Sequence, residues 1–207
     1  MTTADRSSRA ARVDRLPRWL VGDWTPLLRD QLDLMRLALL VGALITAALG
    51  PREQSFRLLL TFGLVLIPRA LDVPRPFDFA FIAAMWFQAW GNVFGAFDRV
   101  YGYDKVVHFV LPCASSAVMY LMLVRLSVVP DLAAEARLHH PAGILLLTWA
   151  LGLTLGGGLY ELYEWFADHQ RGAHLHVSYG DSIGDLTDDA LGALSGGALI
   201  LMWDAFG

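Results

Sequence analysis

Six long apolar stretches dominate the chain: Leu32 to Gly50, Phe56 to Leu71, Phe79 to Phe97, Val106 to Val124, Ala142 to Phe166 and Ala190 to Phe206. A helix needs about 20 apolar residues to cross the hydrocarbon core of a bilayer. Within lipid every backbone N–H and C=O must be satisfied by the chain itself, which leaves the helix as the form such stretches can take. They predict an all-α fold, a polytopic membrane helical bundle with about six transmembrane helices. Composition agrees, with a mean hydropathy of +0.46 and 17% charged residues, against about 25% in soluble domains. The single cysteine, Cys113, excludes a disulfide scaffold, and the 19 glycines follow no triplet period. Lys105 is the one lysine among 16 basic residues, too sparse a set for a nucleic-acid stripe, so no nucleic-acid partner is expected. The second stretch is the least regular: Arg57 and Arg69 bracket it and Pro68 sits near its end, so it is expected to snorkel at both edges or to lie partly re-entrant.

Residues 1–30 form an arginine-rich arm in which Leu16, Trp19, Leu20, Trp24, Leu27 and Leu28 alternate with basic residues, the pattern of an interfacial amphipathic segment. The charged region is too long for the start of a cleaved signal peptide, so the first span is expected to stay as an anchor. Residues 31–207 form the six-span domain. On that layout Arg6, Arg9, Arg12, Arg15, Arg18, Arg29, Arg69, Arg75, Arg125 and Arg137 fall on one side, ten positive charges in all. The other side holds five: Arg52, Arg57, Arg99, Lys105 and Arg171. Positive-inside bias then places both termini of a multi-pass membrane protein in the cytoplasm.

Ionisable groups at membrane depth are costly, so where they gather is informative. The fourth span opens with Asp104 and His108, the fifth closes with Glu161 and Glu164, and the sixth opens with Asp181, Asp185 and Asp188. Helix parity brings these three clusters to one face, and the arginine count makes that face extracytoplasmic. Within each cluster the spacing is i, i+3 or i, i+4, which keeps the side chains on one helical face. Gly152-x3-Gly156 and Gly192-x3-Gly196 are small-residue pairs that would let spans five and six cross closely at the depth of the carboxylates. Several carboxylates at short range repel one another. A divalent metal ion relieves that repulsion, and one imidazole among carboxylates suits Mg²⁺, Mn²⁺, Fe²⁺ or Zn²⁺. Proton sharing among the carboxylates is the other remedy. The expected metal ligands are His108, Glu161, Glu164, Asp185 and Asp188. Asp104 is assigned to catalysis, orienting His108 or moving a proton, with Asp181 at the rim and His176 on a lid formed by the loop that also carries His169 and His174.

Simpler readings stand beside these. Asp104 could serve as a helix N-cap, and Ser182-x-x-Asp185 imitates a capping box. Tyr160, Tyr163 and Trp165 fit an interfacial aromatic belt. Gln88 and Asn92 either line the polar cup or bond neighbouring helices. The Gly156-Gly157-Gly158 run lacks the lysine and strand of a phosphate-binding loop, so it reads as close packing.

Through Tyr103-Asp104-Lys-Val-Val-His108-Phe109, Glu161-x-x-Glu164 and Asp181-x3-Asp185-Leu-x-x-Asp188-x3-Gly192-Ala193, the chain resembles the YjdF-like family of uncharacterised bacterial inner-membrane proteins, a six-span domain of unknown function. The resemblance runs from about Trp86 to Gly197 and implies architecture, not activity. The Asp-Gly-x-x-Ala-Arg segment of the CDP-alcohol phosphotransferases is missing.

Three functions compete. The first is a metal-dependent hydrolase or group-transfer enzyme acting on lipid headgroups, with membrane lipids as its partners. The second is a proton- or cation-coupled transporter, weakened by the lack of an acidic cluster on the cytoplasmic half and of an inverted repeat. The third is a non-catalytic subunit docked to another membrane protein.

Overall fold

The structure is a computed structural model and describes residues 30–133, 139–162, 165–166 and 178–206. The arginine-rich arm and the loop carrying His169, His174 and His176 lie outside the described residues, as do Tyr163 and Glu164.

The described residues are helical and carry no strand. Helix α1 spans Gln31–Leu49, α2 Arg52–Ala70 and α3 Arg75–Phe94. A short α4, Ala96–Arg99, leads to α5, Tyr103–Arg125. Helix α6, Pro141–Leu151, runs on through a π-helical stretch, Gly152–Gly158, to Leu162. Helix α7 is Tyr179–Phe206.

Local chemistry sets the ends. Asp30 caps α1 by accepting from the backbone N–H of Leu32 at 2.8 Å and of Asp33 at 3.2 Å. Gly50-Pro51 separates α1 from α2, and Gly95, in the left-handed region at φ +65°, stops α3. Ser178 caps α7, its hydroxyl accepting from Asp181 N–H at 3.2 Å. Ser182 is therefore inside the helix, and the imitation capping box at Ser182-x-x-Asp185 is not the helix start. Helix α7 begins eleven residues before the apolar stretch from Ala190, so the aspartate run is helical throughout.

Three helical segments are long and apolar enough to cross a membrane by length and composition: Gln31–Leu49, Tyr103–Arg125 and Pro141–Leu162. Helices α2, α3 and α7 fall outside that class among the described residues. Charge dilutes α2 and α7, and Trp, Gln and Asn dilute α3. The all-α membrane bundle stands, while the count of six spans rests on the sequence pattern alone.

Packing divides the bundle into two groups. Helix α2 packs on α1 and α3, while α5, α6 with its π-helical stretch, and α7 pack together; α3 against α5 joins the two groups. Leu39, Leu58, Val65, Ile82, Val118, Tyr120 and Ile144 are almost fully buried, while Leu44, Leu60, Leu146 and Met202 project from the exterior, more than half exposed. An apolar exterior of that extent is what lipid tails require.

The α1–α3 group holds a charge cluster at its heart. Asp33, Arg36, Arg69 and Asp78 are all buried. Arg36 donates through Nη1 to Asp33 at 2.9 Å, through Nη2 to Asp78, and through Nε to the carbonyl of Val65 at 2.9 Å. Arg69 donates through Nε to Asp33 at 2.8 Å. Two arginines against two aspartates leave no net charge, which is how a buried ionic group survives desolvation. Arg69 therefore does not snorkel. At the other end of α2, Arg57 bonds Asn92 at 2.8 Å and pairs with Glu53 at 2.6 Å. The half of the bundle expected to lack an acidic cluster, the one with Arg36 and Arg69, thus carries two buried aspartates, Asp33 and Asp78, each paired with arginine.

Candidate metal centre

Helix parity puts the start of α5, the end of the α6 segment and the start of α7 at the end of the bundle opposite that ionic cluster. Glycine lets the helices approach there. A Cβ on Gly192 or Gly196 would run into the backbone of Phe109 or Cys113, so α7 lies directly on α5. Gly152 faces Ala193 and Ser116, and Gly156 faces Pro112 and Ser115. The two small-residue pairs therefore do not meet face to face: Gly192, Gly196 and Gly156 lie on α5, while α7 touches the π-helical stretch through Ala193 at Gly152 and through Asp189 at Gly157. Ser116 adds an interhelical bond, its hydroxyl donating to the carbonyl of Ala193 at 3.3 Å.

This packing brings three ligand-type side chains together. Asp104, His108 and Asp185 each offer one ligand atom, all within 4.8 Å of one another. Gly102, left-handed at φ +75°, starts α5, so Asp104 sits in the first helical turn and is not the N-cap. That leaves its carboxylate free to face His108 one turn on, with Asp104 Oδ1 3.5 Å from His108 Nε2. The other ring nitrogen, Nδ1, lies 3.1 Å from Oδ1 of Asp189. His108, Asp185 and Asp189 are 5%, 2% and 1% exposed.

Each expected site residue now has a position. Glu161 is buried, close enough to Asp185 for their charges to interact. Asp188 is half-buried and Asp181 exposed at the start of α7, and both act on Asp104 through space without joining the three-residue group. Glu164 and His176 fall outside the described residues. Asp189 was not singled out by the sequence. The reading took Asp181, Asp185 and Asp188 as one face, yet i, i+4, i+8 is an equally good helical stripe and leads to Asp189. Of the two neighbours, Asp189 is the one turned inward.

The electrostatics are lopsided. Asp104, Asp181, Asp185, Asp188, Asp189 and Glu161 gather around one imidazole, and Lys105, whose ammonium lies over Gly184, is the nearby lysine. Oδ1 of Asp185, Oε1 of Glu161 and Oδ2 of Asp189 are buried with no hydrogen-bond partner. Buried carboxylate oxygens normally have partners. Three exceptions in one cluster leave carboxylate oxygens that a proton or a cation could meet, and the donor set of imidazole and carboxylates without thiolate fits a hard or borderline divalent ion.

Beside His108, away from Asp104, lies a cavity of about 20 Å³, lined by Gln88, Tyr160, Gly156, Pro112 and Asp189 among others. That is room for about one water molecule. Tyr160, read from sequence as a belt residue, packs edge-on to the His108 ring at a centroid distance of 5.9 Å. Gln88 lines the cavity, whereas Asn92 bonds Arg57.

No curated protein and no solved structure matches the chain. Residues 32–205 match the family described as "Predicted membrane protein (DUF2238)", the same family as YjdF-like. That match runs from the first turn of α1 to the last turn of α7 and takes in all the residues of the cluster, and the chain belongs to this family of membrane proteins.

Proposed function

We propose that the protein is a divalent-metal-dependent enzyme of the bacterial inner membrane, hydrolysing or transferring groups on lipid headgroups at the extracytoplasmic interface. The observation that supports this reading is the approach of Asp104, His108 and Asp185 to within 4.8 Å, with a buried, unpartnered oxygen on Asp185. In this reading Asp104 moves from orienting His108 to binding the ion. His108 Nε2 and Asp104 Oδ1 lie 3.5 Å apart, near enough that both would hold one ion after a small adjustment. Glu161, with its own unpartnered oxygen, would serve as general base, and a divalent ion held by Asp104, His108 and Asp185 would supply the activation of water. Asp188 and Glu164 complete the acidic surround, and Asp181 and His176 lie at the mouth.

The location follows from length and charge. The 28 residues of α7 rise about 42 Å at 1.5 Å per residue, longer than the roughly 30 Å hydrocarbon core. Asp181 and Asp185 then stand at headgroup level, with Asp189 at the core boundary. The arginine distribution supports that end being outside and both termini in the cytoplasm. Along α3 the opposite ionic cluster and the metal centre are separated by the buried Phe81, Ile82, Ala84 and Met85. An apolar barrier of that kind weighs against an ion path from one face to the other, and so against the transporter.

The test is turnover. Purified protein, reconstituted into vesicles of phosphatidylethanolamine and phosphatidylglycerol and supplied in turn with Mg²⁺, Mn²⁺, Fe²⁺ or Zn²⁺, is expected to release a water-soluble headgroup product with at least one of them. Glu161→Gln is expected to keep the metal and lose turnover. Bound metal without product from these lipids would contradict the enzyme and favour a non-catalytic subunit.

A further inference from the structure

We infer that Asp189 is the positioning residue of this centre: it holds the Nδ1–H of His108 and thereby turns Nε2 toward the metal. The inference rests on the metal reading of the site. Four observations carry it. Nδ1 faces Asp189 at 3.1 Å, within hydrogen-bond range, whereas Nε2 faces Asp104 at 3.5 Å, beyond it. The ring therefore has one nitrogen bonded and one presented. Asp189 is fixed, being 1% exposed on the face of α7 that packs on α5. Gly157 of the π-helical stretch seats it, since a Cβ there would collide with the Asp189 carboxylate. The triple glycine, unassigned by sequence beyond close packing, thus acquires a purpose: at Gly157 the π-helical stretch meets the Asp189 carboxylate with no side chain between them. π-helical turns recur at functional sites for this kind of local adjustment.

The chemistry is that of a carboxylate–histidine–metal relay of hydrogen bonds. A carboxylate on the far nitrogen fixes the tautomer and the ring plane and makes the presented nitrogen a stronger donor to the ion, an effect worth about 10–100-fold in metal affinity. Asp189 does this without touching the ion, and its second oxygen faces no partner.

Co²⁺ is the probe, used on the full chain in detergent after stripping with a chelator. The unmutated protein is expected to bind Co²⁺ and to show a hyperfine-shifted, solvent-exchangeable Nδ1–H resonance that His108→Ala removes. Asp189→Asn is expected to weaken Co²⁺ binding by about 10–100-fold and to shift or broaden that resonance. Gly157→Ala, which leaves both side chains chemically intact but pushes on the carboxylate, is expected to weaken binding less, in the same direction. Should Asp189→Asn fail to fold, the resonance in the unmutated protein and the Gly157→Ala affinity decide. Co²⁺ bound with unmutated affinity by Asp189→Asn, or through Nδ1 in the unmutated protein, overturns the inference and leaves the metal centre standing. Failure of the unmutated protein to bind Co²⁺ overturns both.

Discussion

Asp185 shows how a single side chain carries a conflict between stability and function. Its carboxylate is 2% exposed, has an oxygen without a partner, and shares its surroundings with Asp104, Asp181 and Glu161. Without a cation, that charge is a liability. Asp185→Asn keeps the shape and removes the repulsion, so it is expected to raise the melting temperature of chelator-stripped protein while abolishing metal binding. Thermal melting in detergent, with and without chelator, checks both halves. A lower melting temperature in the stripped variant would mean that Asp185 is held by partners and is not a strained ligand. At this scale the sequence told part of the story. Asp104, His108 and Asp185 were legible because charges at membrane depth are rare and theirs were spaced on a helical face. Asp189 was not, because the choice between Asp188 and Asp189 depends on how α7 is rotated, and that is set by glycine contacts with α5 that no spacing rule encodes. Arg36 and Arg69 escaped for a related reason. Each looked like an isolated charge, and their partners Asp33 and Asp78 become meaningful when α1, α2 and α3 lie side by side.

Helices were easier to read than their contacts. Apolar length located the long helices among the described residues, with ends off by a few residues except in α7, whose helix begins at Tyr179, well before the apolar stretch from Ala190, and so carries the aspartate run on the helical face its spacing predicted. The glycine pairs signalled close approach but not the partner. Gly192 and Gly196 face the backbone of α5, not span five, because carbonyls of Phe109 and Cys113 occupy the space a side chain would fill. Gly192→Ala is therefore expected to force α7 away from α5 at a cost of about 1–3 kcal/mol. Because Gly192 is three residues from Asp189, the same change should weaken metal binding although it touches no ligand. Melting and Co²⁺ titration of the variant check this, against Ala198→Gly on the exposed face of α7 as a control. Unaltered affinity after a measured loss of stability would show that the α5–α7 spacing does not set the site.

Taken whole, the molecule separates two kinds of buried charge. At one end, two arginines and two aspartates neutralise one another and tie α1, α2 and α3 together. At the other, acidic groups outnumber basic ones around His108. The proposed orientation puts the neutral cluster inside and the acidic centre outside. Single-cysteine variants test it on a background in which Cys113 is replaced by serine. Tyr101→Cys, in the exposed turn before α5, should react with an impermeant maleimide in intact cells, and Val128→Cys, after α5, only once the inner membrane is breached. The reverse pattern would invert the topology and move the acidic centre to the cytoplasmic face.

The proposed function depends on a cation in that centre, and metal content is its most direct measure. Elemental analysis of the unmutated protein, purified without chelator, is expected to give about one divalent ion per chain, absent from His108→Ala. Chelation should lower its melting temperature, because an ion bound only to the folded form stabilises it by mass action. Substoichiometric metal in the unmutated protein, with melting unmoved by chelator, would contradict the account.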